Sequence, residues 1–272
     1  MIEKTIEETK AIALITGASS GIGAAFARRL ADNGFDLILI ARREELLVNL
    51  CKELKDTKGI NAEYMLIDLE KDNELKIVEE RIKKTPNLEI LVNNAGFGGG
   101  NKAFYEIPIE DHINMVKVHN IAPLQLVHAA IPGLLIKGKG AIINVSSIGS
   151  FSPSSGVMYS TTKNFLNYLS ESLDLLLKKR GIKIQALCPG FTTTDFHKKL
   201  GYGSEHPVYR RKFMTAEKVV ETSLKALKKG KVYCIPGFRN KLLAFLLRKL
   251  PKRVLIFAYR KMFSKRKSII EE

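Results

Sequence analysis

Seven short apolar runs recur along the chain, each followed by a longer stretch with apolar residues every three or four positions, and this alternation constrains the fold most. The runs fall at 11–16, 36–41, 61–66, 88–92, 140–145, 182–187 and 231–235. The stretches between them, such as 23–33, 44–55 and 159–179, read as amphipathic helices. Regular alternation of strand and helix predicts an α/β fold with a parallel, doubly wound sheet. AIALIT and LILIA are apolar at nearly every position, as expected of strands covered by helices on both faces. No repeat or low-complexity linker breaks the pattern before about residue 238.

With 272 residues, 45% of them hydrophobic and 26% charged, the chain has globular composition and material for one large α/β domain. A disordered or collagenous chain is excluded. Cys51, Cys188 and Cys234 form no C-x-x-C pair, so neither a disulfide framework nor a cysteine zinc cluster is expected, and a reducing cytoplasmic setting fits. His112, His119, His128, His197 and His206 lack zinc-binding spacing, so no metal is expected. The opening MIEKTIEETK carries early acids and no apolar core, unlike a secretory signal. The apolar stretches 242–247 and 254–259 are six residues each, too short to span a bilayer. The net charge of +16 is uneven: residues 239–268 hold eleven Lys/Arg and no acid, which with the two terminal glutamates leaves +7 for residues 1–238. The division expected is a body over 1–238 and a basic amphipathic extension over 239–272.

Between the first strand and first helix lies Thr16-Gly17-Ala18-Ser19-Ser20-Gly21-Ile22-Gly23. Glycines there let the backbone turn sharply and approach a ligand, while free N–H groups at a helix start stabilise anionic oxygens. The turn suits a pyrophosphate, although similar turns also occur as plain structure. The second strand ends at Ala41, eighteen residues past Gly23, where an NAD-specific fold places an acid on the ribose hydroxyls. Here Arg42-Arg43 follows instead. A guanidinium binds a 2′-phosphate that an acid would repel, so Arg42 predicts NADP(H), with NAD(H) as the other nucleotide the fold admits. The alternative is that both arginines are solvated first-turn residues of the next helix. Asp68, past the third strand, is either an acceptor for the adenine amino group or a helix cap.

Of eight tyrosines, only Tyr159 has a lysine four residues on, Lys163. One helical turn places the two on one face, where an ammonium lowers the phenol pKa and makes it a proton donor and acceptor. Ser146-Ser147 closes the fifth strand, at the sheet edge where ligands bind in this architecture. A hydroxyl there stabilises a substrate carbonyl oxygen, or else serves a turn.

TGASSGIG at 16–23, NNAG at 93–96, Asn120, INVSS at 143–147, YSTTK at 159–163 and PG at 189–190 occur in that order. With them the chain resembles the short-chain dehydrogenase/reductase superfamily over roughly residues 10–238. The resemblance implies one Rossmann-type domain with sheet order 3-2-1-4-5-6-7. It implies Tyr159 as acid/base, Lys163 tuning it and holding the nicotinamide ribose, Ser147 orienting the carbonyl, and Asn120 positioning a water that links Lys163 to solvent. Gly17, Ser19, Ser20, Gly21, Ile22 and Gly23 would line the pyrophosphate, Asp68 the adenine and Asn94 the adenine ribose. Pro189, Gly190, Thr192 and Thr194 would lie on the nicotinamide amide and diphosphate. One departure concerns the serine, which in most relatives is the second of the pair and lies thirteen residues before the tyrosine; Ser147 lies twelve before and Ser146 thirteen. The loop GSFSPSSG at 149–156 loses a residue cheaply, whereas a strand slip flips its side chains, so Ser147 is expected and Ser146 is the alternative.

In such a fold Phe97, Phe151, Met158, Phe191, Phe196, Tyr202 and Phe213 would surround the nicotinamide. That apolar wall suggests a lipophilic carbonyl or secondary alcohol, such as a fatty 3-oxoacyl chain, steroid or retinoid, though each side chain is also a candidate for plain packing. The basic extension could lie on an anionic membrane surface, dock over the active-site mouth or form a subunit contact. The expectation is an NADP(H)-dependent, homo-oligomeric oxidoreductase, cytoplasmic or peripheral on a membrane, with no nucleic-acid partner. The alternative is a catalytically silent dinucleotide-binding or membrane-recruited protein.

Overall fold

The computed structural model describes residues 10–98, 102–153, 156–193, 213–251, 253–257 and 260. The first six apolar runs become strands β1 (Ile12–Thr16), β2 (Asp36–Ala41), β3 (Ala62–Leu66), β4 (Leu88–Asn93), β5 (Gly140–Val145) and β6 (Ile182–Leu187). Two further strands, β7 (Thr192–Thr193) and β8 (Met214–Thr215), pair with each other outside the main sheet, which the sequence pattern did not foresee. The seventh sheet strand is β9 (Tyr233–Cys234), giving the parallel order β3-β2-β1-β4-β5-β6-β9 and so the expected winding.

β9 is shorter than the expected 231–235 for a local reason. The chain leaves the preceding helix through Gly230, and the Gln185 side-chain amide of β6 takes the carbonyls of Ser223 and Lys231 at 3.2 and 3.5 Å. The Gln185 side chain thus bonds the chain that leads into β9, and of β6 only Ala186 and Leu187 pair with β9.

Side-chain alternation in the strands feeds two cores. Ala13, Ile15, Leu37, Leu39, Val92 and Ile143 point to one face, against α1 (Gly21–Asp32), α2 (Glu44–Lys58) and α7 (Ala216–Lys228). Leu14, Ile38, Ile40, Leu91, Ile142 and Ile184 point to the other, against α3 (Asp72–Lys83) and α5 (Ala122–Lys137). Fully burying one such aliphatic side chain stabilises the fold by about 1.5–3 kcal/mol, so the two faces together fix the register of every strand.

Two irregular elements position the site. Between α4 (Ile109–Val116) and α5 the helix widens into a π turn at Lys117–Ile121, which leaves the consecutive Val118, His119 and Asn120 all buried. After β5 a short 3-10 turn at Ile148–Phe151 leads towards the long helix α6 (Val157–Leu177). Helix α8 (Phe238–Lys249) begins the segment expected as an extension but lies against that 3-10 turn, with Ala244 buried. Among the described residues no helix is long and apolar enough to cross a membrane.

Candidate active site

The loop after β1 turns through Gly17 and Gly21, at φ 65° and 56°, a region that penalises any side chain. A Cβ on Gly23 would meet the Gly17 carbonyl oxygen at 2.2 Å, so α1 starts directly against the turn and Ile22 packs into the core beside it. No side chain caps α1, since Ser20 makes no capping bond, and its first turn holds no acid. Its leading N–H groups therefore point outward without internal acceptors, the positive helix end that an anionic diphosphate fits.

Asn94 works behind this turn. Its amide nitrogen donates to the carbonyls of Thr16 and Gly17 at 3.0 and 3.1 Å, and its backbone N–H to Thr16 Oγ1 at 3.0 Å. The residue expected on the adenine ribose thus directs its donors to the loop, because β4 ends beside β1 and the loop carbonyls lie within reach.

The two arginines after β2 part company. Arg42, expected to read a 2′-phosphate, turns to the end of β3, with its Nη1 at 3.0 Å from Glu70 Oε1 and 3.7 Å from Asp68 Oδ1. Arg43 turns to the glycine turn, where its Nε and Nη2 donate to Ser19 Oγ at 3.2 and 3.0 Å and Nη2 also reaches Ser20 Oγ. Two carboxylates beyond β3 thus hold Arg42, while its neighbour Arg43 stands at the glycine turn. Asp68 accepts from Glu70 N at 3.1 Å, closing a local turn, and does not cap α3, whose N-cap is Lys71.

At the C-terminal edge of β5 the paired serines separate by strand parity. Ser146 is buried and its hydroxyl donates to the Lys163 carbonyl at 2.8 Å. Ser147 accepts from Gly149 N at 3.1 Å and hydrogen-bonds the Tyr159 hydroxyl. Only Ser147 faces the phenol.

Lys163 lies one turn along α6 from Tyr159, with its Nζ 5.9 Å from the ring centroid and donating to the Val145 carbonyl at 2.9 Å. Burial lowers it to about 8. Burial also pushes the phenol above its ordinary value, and the Ser147 hydrogen bond pulls it back. The Lys163 ammonium itself is directed to a strand carbonyl beside the Tyr159 ring.

Asn120, expected to position a water beside Lys163, is buried in the π turn. Its amide donates to the carbonyls of His119 and Thr162 at 3.0 and 2.9 Å, which stitches the π turn to α6. The side chain that faces the Tyr159–Lys163 pair is His119, 6.0 Å from the Tyr159 ring centroid and edge-on to it. Sequence reading weighed this histidine only for zinc-binding spacing, found none and gave it no role; its place one residue before Asn120 was the signal available.

Phe97 packs 5.4 Å from His119, on the Tyr159 side. Phe151 instead joins Tyr233, at 5.9 Å, beneath the guanidinium of Arg248, which lies 5.6 and 4.8 Å from the two rings. Phe191 and Phe213 stack at 5.6 Å, and Met158 is half-buried at the start of α6. Pro189 accepts from Ile148 N at 3.0 Å, and Thr192 Oγ1 donates to the Gly190 carbonyl at 3.0 Å. A Cβ on Gly190 would meet the Asn240 side chain at 2.6 Å, so α8 sits directly on the Pro189-Gly190 turn. Thr194, Phe196, His197, Tyr202 and His206 lie outside the described residues.

Comparisons with known proteins agree with this arrangement. The family model described as short chain dehydrogenase matches residues 11–204. An uncharacterized oxidoreductase of Staphylococcus saprophyticus is 30% identical over 224 residues, covering 82% of this chain and 93% of its own. The human protein named inactive hydroxysteroid dehydrogenase-like protein 1 is 30% identical over 185 residues, covering 67% of this chain and 56% of its own. A short-chain dehydrogenase from Sphingobium yanoikuyae, solved in complex with NADPH, superposes with a TM-score of 0.79 at 30% identity over 96% of both chains.

Proposed function

From the premise that this chain belongs to the short-chain dehydrogenase family and is an NAD(P)-dependent oxidoreductase, we propose that it reduces a lipophilic carbonyl with NADPH, or oxidises the corresponding secondary alcohol. The observation that carries the reading is the hydrogen bond between Ser147 and Tyr159 with Lys163 beside them, at the sheet edge that also carries the uncapped start of α1. When bound, the nicotinamide supplies or accepts the hydride at the carbonyl carbon. Tyr159 gives its phenolic proton to the carbonyl oxygen in reduction and takes it back in oxidation. Ser147 holds that oxygen, and the Lys163 ammonium offsets the negative charge left on the phenol. The intact trio favours turnover over a silent binding protein.

The preference for NADPH rests on Arg43, whose guanidinium already bonds the two serines of the turn. A 2′-phosphate there gains a charge-assisted contact that a ribose hydroxyl does not. The lipophilic substrate class rests on Phe97, Met158, Phe191 and Phe213 around the cleft. Association with an anionic membrane surface rests on α8, which exposes Leu242, Leu243, Phe245 and Leu246 among Arg239, Lys241 and Lys249. Self-association rests on exposed Ile121 and Leu124 near and on α5 with Phe165 and Tyr168 on α6.

The test is a series of carbonyl compounds of graded chain length, read by loss of reduced-nicotinamide absorbance with NADPH and NADH. Turnover that improves with chain length is expected. Tyr159→Phe should lower kcat by about 10²- to 10⁴-fold while NADPH binding holds within about twofold, as loss of a general acid does. Full turnover in that variant overturns the mechanism.

A further inference from the structure

His119 is fully buried, and each ring nitrogen has a partner. Nε2 lies 3.0 Å from the backbone nitrogen of Phe97, which can only donate, so Nε2 carries the lone pair. The proton of the neutral ring therefore sits on Nδ1 and is donated to Thr162 Oγ1 at 3.0 Å, and Thr162 passes its own proton to the Tyr159 carbonyl at 3.1 Å. One directed chain thus runs from the segment 94–97, through the imidazole, to the first turn of the helix that carries Tyr159 and Lys163. The other end of that segment is Asn94, which holds the glycine turn. Gly96 lies between ring and lysine: a Cβ there would stand 2.9 Å from His119 Nε2 and 3.3 Å from Lys163 Nζ.

We propose that His119 is a positioning residue whose neutral imidazole braces the segment 94–97 against α6, and that a second proton on the ring releases the brace and weakens nucleotide binding. A doubly protonated ring presents an N–H to the Phe97 N–H, so the acceptor is lost and two donors face each other. The titratable groups facing the ring are Lys163 and Tyr159 of α6; the segment 94–97 contributes none. Burial first, and the Lys163 charge second, hold the imidazole well below its ordinary 6.5, so the brace stays closed at neutral pH and opens only in acid.

The inference rests on the reading of the cleft as a nicotinamide-nucleotide site, and its test separates the two. The full chain, His119→Gln and His119→Phe are titrated with NADPH and with NADH by nicotinamide fluorescence from pH 4.5 to 8, with circular dichroism recording folding at each pH. NADH lacks the 2′-phosphate, so its acid profile is free of that group's titration. The unaltered chain should lose affinity for both nucleotides by more than about threefold, with the fall confined to the acid end of the range. Glutamine keeps an acceptor for Phe97 N–H but takes up no proton, so its NADH affinity should stay within about threefold of the neutral value throughout. Phenylalanine should bind both nucleotides about tenfold more weakly even at neutral pH, equivalent to about 1.4 kcal/mol. An acid fall in His119→Gln equal to that of the unaltered chain overturns the proposal, as does unchanged neutral binding in His119→Phe. The glutamine variant decides alone if the phenylalanine variant does not fold. Failure of the unaltered chain to bind either nucleotide overturns the dinucleotide reading itself and, with it, this one.

Discussion

Arg42 and Arg43 are adjacent and chemically identical, yet the structure gives them opposite surroundings, and that difference sets a test. Arg43→Ala should lower the ratio of kcat/KM for NADPH over NADH by about 10- to 100-fold, the span of one hydrogen bond to a charged group. Arg42→Ala, which frees Glu70 and Asp68 instead, should move that ratio by less than about threefold. A larger shift in the Arg42 variant would return the 2′-phosphate to Arg42. Lys163 carries a pH signature of its own: burial holds it at about 8 against an ordinary 10.5. Between those values the unfolded chain binds a proton that the folded chain lacks, so this residue adds stability as pH rises from 8 to 10.5. In urea melts at pH 7.5, 9 and 10.5, the stability of the unaltered chain relative to Lys163→Met should climb across that window; a flat difference would place the lysine in ordinary solvent. That Tyr159, Lys163 and Ser147 come together was legible in the sequence, because helix spacing and strand parity fix their placement locally. The arginine that meets the turn was not, since its choice depends on carboxylates beyond a different strand. His119 was hidden for the same reason: only the π turn brings it inward.

Strands with apolar residues on both faces announced themselves, and β2, β5 and β6 fall on the expected residues because the two cores demand their register. What escaped the pattern was governed by contacts between distant elements. β9 is cut short by the Gln185 side chain, and β7 and β8 are too brief to have a period. α8 is the instructive case, since a basic amphipathic stretch reads alike whether it faces lipid, a second subunit or its own domain. The structure lays one side of it on Gly190 and the ring pair Phe151 and Tyr233. Arg248→Ala should remove about 1 kcal/mol of cation–π stabilisation and lower Tm by a few degrees. Because Phe151 ends the 3-10 turn that follows Ser147, the variant should also raise KM for the carbonyl substrate with little change in kcat. An unchanged KM would separate this helix from substrate binding.

On the scale of the whole molecule the charge is lopsided: a body of +7 ends in a segment with eleven basic residues and no acid before the terminal glutamates. Attraction of that segment to anionic lipid, with the exposed side chains of α8 inserted, predicts salt-sensitive co-sedimentation with phosphatidylglycerol vesicles and little with phosphatidylcholine. Leu243→Asp with Phe245→Asp should abolish it and leave turnover of a soluble carbonyl intact, because both side chains point away from the body. Equal sedimentation of the double variant would mean that charge alone, or nothing specific, holds the protein there. The layout of the cleft along the chain has a further consequence for biosynthesis. The glycine turn, Arg43, Asn94 and Phe97 all belong to the first 97 residues, whereas the phenol and lysine follow some sixty residues later and α8 later still. A nascent polypeptide leaving the ribosome thus exposes the glycine turn and the groups packed behind it well before Tyr159 and Lys163 have been translated, and α8, which seats on the Pro189-Gly190 turn, comes later still.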